Sequence, residues 1–249
     1  MAVRAYCLCI LIVSGWLFLS SCVGVPSTTE LSPPDVWRVA VVSPLRWMTP
    51  YMNTCVLKQP HTAIVLVEPP SSVQCLSLAD VCFSWGEEQH LTASVFDLGK
   101  DDLVFVVHSE SPVNSLTQDE LNRLYSGRVR VWQELGTNAQ GKIGEVVVWA
   151  AAPETEMRRL ADALIGGVLF ADTGIAPGAA AMRQAVAENP QALGYLPRRW
   201  LDASLKPVRI PDAQDVDLSL PILAAVRSEP QGKMRDWLLC LQEAVISEK

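Results

Sequence analysis

Eight short apolar runs, rich in β-branched residues, punctuate the chain: WRVAVV (37–42), TAIVLV (62–67), DVCFSW (80–85), LVFVVH (103–108), EVVVWA (145–150), LGYL (193–196), PVRI (207–210) and LPILAAV (220–226). Runs with so little polar alternation predict strands buried on both faces, the pattern of parallel sheets covered by helices. Three stretches between and after them repeat instead at helical spacing. Residues 154–167 carry Met157, Leu160, Ala161 and Leu164 on one stripe and stop at Gly166-Gly167. Residues 179–190 place Met182, Ala185 and Val186 before Asn189-Pro190, and residues 233–246 line up Met234, Trp237, Leu238, Leu241 and Val245. Strands alternating with helices predict an α/β fold. So many strands suit two lobes better than one compact sheet.

The segment LTQDELNRLYSGRVRVWQELG (116–136) is specified more tightly than its surroundings. Thr117 and Glu120 have the T-x-x-E spacing of a capping box, and Leu116 and Leu121 flank it as a hydrophobic staple. Leu121, Leu124 and Tyr125 share one face, and Gly127 stands where a helix closes with a left-handed residue. The pattern predicts a short isolated helix that must dock on something. Its role is architectural.

The N-terminus reads differently. Arg4 precedes the apolar run CLCILIVSGWLFL, which is shorter than the ~20 residues a membrane span needs. The run ends in Leu19-Ser20-Ser21-Cys22, which resembles the bacterial lipobox. That resemblance implies a lipoprotein signal peptide over residues 1–22, with Cys22 carrying the lipid; an ordinary secretory signal with an incidental cysteine is the other reading. Residues 23–35, VGVPSTTELSPPD, lack apolar periodicity and read as an extended tether. The expectation is a globular body anchored to the outer face of a membrane rather than spanning it.

Composition narrows the function. At 49% hydrophobic and 19% charged, the chain has ample material for a core. A net charge of −7, with no cluster of lysine or arginine, argues against a nucleic-acid partner. Beyond Cys7, Cys9 and Cys22, four cysteines remain: Cys55, Cys75, Cys82 and Cys240. They allow three disulfide pairings in an oxidising compartment, or stay as buried thiols. His61, His90 and His108 are scattered and no Cys/His pair has ligand spacing, so no metal site is expected. No G-x-S-x-G, H-E-x-x-H or Walker motif occurs, and Asp80, Asp97 and Glu145 are too dispersed for an acid/base pair. The expectation is a protein that is not an enzyme and uses no cofactor.

Two segments carry a resemblance. Residues 103–136 pair an apolar strand with Ser111-Pro112-Val113, Leu116-Thr117, Leu121, Ser126-Gly127, Trp132 and Leu135-Gly136. Residues 185–197, AVAENPQALGYLP, carry Val186, Asn189-Pro190, Ala192, Leu193, Gly194 and Tyr195. Both resemble segments of the phosphate-type periplasmic binding proteins, the ABC transporter substrate-binding lipoproteins. The resemblance implies a two-lobed α/β fold of type II with a ligand cleft between the lobes. Lobe I would be residues 36–105 plus 197–249, and lobe II residues 106–196. It also implies a small-molecule ligand, an ABC permease as partner and a monomeric body.

On that template three turns reach the cleft, where helix N-termini favour anions. They supply Ser43 and Arg46, then Ser84 and Trp85, then Thr155; Thr173 comes from the glycine-containing approach DTGIAPGAA (172–180). Each hydroxyl serves equally well as a cap or turn former. The third turn departs from the family pattern. Pro153-Glu154-Thr155 stands where Ser-Gly-Thr is expected, and Ala150, Ala151 and Ala152 leave no arginine upstream. Without a bidentate guanidinium, and with Glu154 and Glu156 beside the turn, a phosphate ligand is in question. The alternative is a degenerate relative acting as a ligand sensor or envelope interaction module.

Overall fold

A computed structural model describes residues 33–67, 75–86, 94–139, 144–213 and 215–247. The expected signal peptide over residues 1–22 with Cys22, and the expected tether as far as residue 32, lie outside the described residues. Residues Pro34–Lys249 form one compact unit.

Strands form at all eight apolar runs: β1 (Asp35–Val41), β2 (Thr62–Val67), β3 (Val81–Trp85), β4 (Ser94–His108), β5 (Val147–Ala151), β7 (Ala192–Pro197), β8 (Leu205–Val208) and β9 (Ser219–Val226). The predicted helices appear as α3 (Gln118–Tyr125), α4 (Glu156–Ile165), α5 (Ala179–Ala187) and α6 (Gly232–Ser247). Not foreseen were α1 (Thr49–Val56), α2 (Cys75–Leu78), the three-residue strand β6 (Gly174–Ala176) and the first half of β4. That half contains Asp97, Lys100, Asp101 and Asp102, and its ladder slips at a bulge between Asp97 and Gly99. Charges and a bulge hide a strand from any reading based on apolar runs.

The strand order is β2-β1-β3-β9-β4-β7-β5-β6, with β8 on β4. The sheet is mixed rather than parallel. β1 pairs in parallel with β2 and β3, and β5 with β6 and β7, whereas β9 runs antiparallel to β3 and β4. β7 and β8 also run antiparallel to β4. Leu103 to Val107 are consecutively buried, so β4 is covered on both faces although its ladders are antiparallel. Continuous apolarity reports two-sided burial, not strand direction.

β4 is the shared element. Ser94 to Asp102 pair with β9, and from Leu103 onward the strand pairs with β7 and β8, which take opposite edges because both bond Phe105 to Val107. The helix α3 docks against this second part. Thr117 and Glu120 close the capping box, with the Thr117 amide donating to Glu120 Oε2 at 2.7 Å and the Glu120 amide to Thr117 Oγ1 at 3.2 Å. Gly127 has φ +73°, and a Cβ there would run into the Phe170 ring, so only glycine closes this helix. Tyr125 packs edge-on to Phe105 of β4 at 6.2 Å and against Tyr195 of β7 at 6.1 Å. Its hydroxyl donates to the Trp149 carbonyl at 3.1 Å. The segment braces β4, β5 and β7 together.

Disulfides join Cys55 to Cys240, linking α1 to α6, and Cys75 to Cys82, linking α2 to β3. This is one of the three pairings the sequence left open. Among the described residues no helix is long and apolar enough to cross a membrane.

Candidate functional site

One hydrogen bond and one close approach show how the sheet is bent. β1 and β6 lie six steps apart in the strand order, which in a flat sheet at ~4.8 Å per step would separate them by roughly 29 Å. Yet Ser43, two residues after β1, accepts a hydrogen bond through Oγ from the Ala179 amide at the start of α5, at 3.2 Å. β3 and β5 are four steps apart. Gly86, just after β3, nonetheless approaches α4: a Cβ there would lie 3.5 Å from Arg159 Nη2 and 3.6 Å from Glu156 Oε2. The sheet therefore doubles back, and the carboxyl ends of β1 and β3 face those of β5 and β6. Open α/β sheets hold ligands outside the carboxyl ends of their strands.

The walls of this crevice come from four chain segments. The first is the 3₁₀ turn Ser43–Met48, which leads into α1. Its outer side is buttressed by the next turn after β7: Trp200 Nε1 donates to the Pro44 carbonyl at 2.7 Å, and the Arg199 guanidinium stacks on Trp47 at 4.6 Å. The second is Gly86. The third is the start of α4, where Thr155 caps its own helix. Thr155 Oγ1 accepts from the Arg158 amide at 3.2 Å and donates to the Ala152 carbonyl at 2.8 Å. Glu156 is engaged by Arg159 in an ion pair one turn along. The fourth is Gly178-Ala179 at the start of α5.

Of the residues singled out from the sequence, Ser43 and Thr155 stand at the facing strand ends. Arg46 is exposed on the same 3₁₀ turn as Ser43. Ser84 is half-buried on β3 opposite Leu223 of β9. Trp85 is core: it is 1% exposed and its indole N–H donates to the Asp101 carbonyl at 3.3 Å. Thr173 precedes β6, at the opposite end of that strand from Gly178, so the fold does not bring it to the other residues. Its hydroxyl is buried and has no hydrogen-bond partner among the described residues. Trp149 packs beneath Gly174, where a Cβ would strike its ring.

The sequence reading passed over three residues that shape this region. Gly178 and Ala179 lie inside the glycine-containing stretch 172–180, where only Thr173 carries a hydroxyl to mark a site. Asp101 gave no signal beside Lys100 and Asp102. It sits one residue before β4 exchanges partners and is 4% exposed. Oδ1 accepts from the Asp102 amide at 2.9 Å, and Oδ2 has no partner among the described residues. Burial pushes the Asp101 carboxyl up to about 7, outweighing the Arg199 guanidinium and the amides of Asp102 and Arg199, which act the other way. Among the described residues no group of three or more His, Cys, Asp or Glu side chains converges where a metal could sit.

A doubled-back α/β sheet whose carboxyl strand ends turn toward one another defines the class of fold. The PBP superfamily domain model matches residues 85–216, more than half of the chain, and the chain belongs to that superfamily. No curated protein matches at the sequence level. Among solved structures, one from Clostridium perfringens, assigned as a phosphate ABC transporter substrate-binding protein with bound phosphate, is similar with a TM-score of 0.71 at 17% identity. The match covers 86% of this chain and 97% of that one. An ABC-type phosphate transport receptor from Vibrio cholerae gives 0.60 at 20% identity, over 85% and 97% of the two chains. The OxyR regulatory domain of Pseudomonas aeruginosa in its reduced form gives 0.58 at 9% identity, over 85% and 96%. At these identities the likeness is one of fold. The fold is thus the periplasmic-binding-protein-like α/β fold implied by the two sequence segments.

Proposed function

We propose that this chain is an extracytoplasmic solute-binding protein that holds a small ligand between two lobes, 36–105 with 197–249 and 106–196, and serves an ABC-type importer. In this reading residues 1–22 are the lipoprotein signal peptide, Cys22 carries the anchor, and the body is a monomer without catalytic chemistry. The observation that carries the reading is the meeting of opposed carboxyl strand ends, marked by the 3.2 Å bond between Ser43 and Ala179. Phosphate-transport proteins sharing the fold support the class of partner. Superfamily membership supports the extracytoplasmic location.

The ligand is small and polar. Amides at the start of α5 suit an anion, but Glu154 and Glu156 beside α4 and the missing arginine make phosphate a poorer fit than in the family pattern. A thermal-shift screen of the chain without residues 1–32 against phosphate, sulfate, molybdate and small organic solutes tests this. A ligand at one hundred times its Kd adds ~2.7 kcal/mol to the folded state and raises Tm. A phosphate shift that survives Ser43→Ala combined with Thr155→Ala would place the site elsewhere. If no solute shifts Tm, the transport reading is lost.

A second reading, a sensor or interaction module without transport, is favoured by one observation: the single proton of the Thr155 hydroxyl is given to the Ala152 carbonyl, so it has no donor left for an anionic guest. The OxyR regulatory domain has the same fold. Permease and ATPase genes beside this one would favour transport; a sensor-kinase gene would favour the second reading.

A further inference from the structure

The contact at the crevice mouth is built by subtraction. Gly178 has φ −176°, an extended conformation open to any residue, so its backbone does not require glycine. Space does. A Cβ at Gly178 would overlap the Ser43 hydroxyl and lie 3.0 Å from the Ser43 Cβ. With no side chain there, the serine reaches past residue 178 to the Ala179 amide, the first N–H of α5. That amide is one of the four at a helix start that no turn of the helix can satisfy.

The 3₁₀ turn bearing Ser43 is itself held in place. Pro44 accepts from Trp200, and Trp47 lies under Arg199. A buttressed serine aimed at a glycine notch, across strands six places apart, is a docking geometry between two parts of the crevice. α4 offers the contrast. It supplies its own cap, and its approach to Gly86 involves no hydrogen bond of this kind among the described residues.

We propose that Ser43 and Gly178 form a self-latch: the Ser43 hydroxyl occupies the N–H at the α5 start, closes the crevice with the protein's own group, and must be displaced before a guest can use that amide. The latch rests on the clamp reading above but not on the identity, or existence, of any ligand. Its test therefore needs none.

The full-length chain is compared with Gly178→Ala, Ser43→Gly and the double variant by amide hydrogen exchange over residues 179–182 and by small-angle scattering. Ser43→Gly removes the acceptor without adding bulk, so exchange at Ala179 is expected to quicken at least about five-fold, the scale of one neutral hydrogen bond, while Tm falls by only about 2–4 °C. Gly178→Ala wedges the mouth, so exchange quickens and the radius of gyration rises. In the double variant the new methyl fits the space left by the serine side chain, and the radius of gyration returns toward wild type although exchange stays fast. Unchanged exchange in Ser43→Gly overturns the latch. So does a Gly178→Ala protein as compact as wild type. Should Gly178→Ala fail to fold, the exchange rate in Ser43→Gly alone decides. A ligand screen that finds nothing would overturn the transport reading and leave these outcomes untouched.

Discussion

The two parts of the molecule that share β4 are stabilised differently. On the β9 side, β1, β2, β3, β9, α1 and α6 come from both ends of the chain, and Trp37, Phe83 and Trp237 cluster at 5.6–5.8 Å between ring centres. On the β7 side, the elements from α3 to β8 follow one another in sequence, and Phe105, Tyr125 and Tyr195 cluster at 5.5–6.2 Å. Both sides thus own an aromatic core. Both disulfides nevertheless lie on the β9 side. For Cys55–Cys240 loop-closure entropy gives a reason: bringing α1 to α6 closes a far longer stretch of chain than bringing α3 to α4, so a covalent link gains most there, whereas Cys75–Cys82 closes a separation of only 7. The β7 side relies on local devices instead, a capping box and buried tyrosine hydroxyls. Tyr195 accepts from the Ala151 amide at 2.8 Å, and burial pushes its phenol up to about 12.

The comparison breaks most visibly at Cys55–Cys240. With the partners at a sequence separation of 185, chain-entropy arithmetic assigns the link roughly 5 kcal/mol. Cys55→Ala with Cys240→Ala should therefore lower the denaturant midpoint steeply, and hydrogen exchange should show α1 and α6 loosening before α3 does. If all elements loosen together, the two sides are not separately stabilised.

The next effect concerns the joint. Burial raises the Asp101 carboxyl from its ordinary value of 3.8 to about 7 in the folded chain. Its contribution is full below about pH 4 and is lost as pH rises through about 7, because the unfolded chain gives up the proton first. The loss is on the order of 4 kcal/mol. Unfolding measured from pH 4 to 8 should show that decline, and Asp101→Asn should flatten it. A decline that persists in the variant assigns it to other groups.

The smallest effect sharpens the β7 side. Thr117→Ala removes one half of the capping box and should cost ~1 kcal/mol in chemical denaturation. α3 should lose exchange protection while α6 keeps its own. An equal loss in both helices would mean that the brace is global.

The sequence reading succeeded where one local pattern determines one local outcome. The runs at 62–67 and 220–226 became β2 and β9 almost residue for residue, and the T-x-x-E of α3 closed as its spacing required. Ser43 and Thr155 stand at the facing strand ends because each follows a strand whose carboxyl end turns inward, and their part in binding belongs to the proposal above. Gly178 was missed because its meaning depends on Ser43, whose hydroxyl it admits to an amide 136 residues away in sequence. Asp101 was missed for a similar reason. Its burial depends on Trp85 and on the turn carrying Arg199, neither adjacent in the chain. Strand direction was misjudged because apolar continuity carries no record of which neighbour a strand will meet.

Leu103 and Pro197 are register partners on β4 and β7, so their Cα atoms stand about 5 Å apart. The chain sets out toward α3 and comes back from β7 at neighbouring positions, and β8 then lies along the other edge of Phe105 to His108. A transplanted insert would therefore have to bring its own counterpart of Phe105 to His108, since without that edge β8 loses the strand it pairs with while β1, β3 and β9 keep theirs.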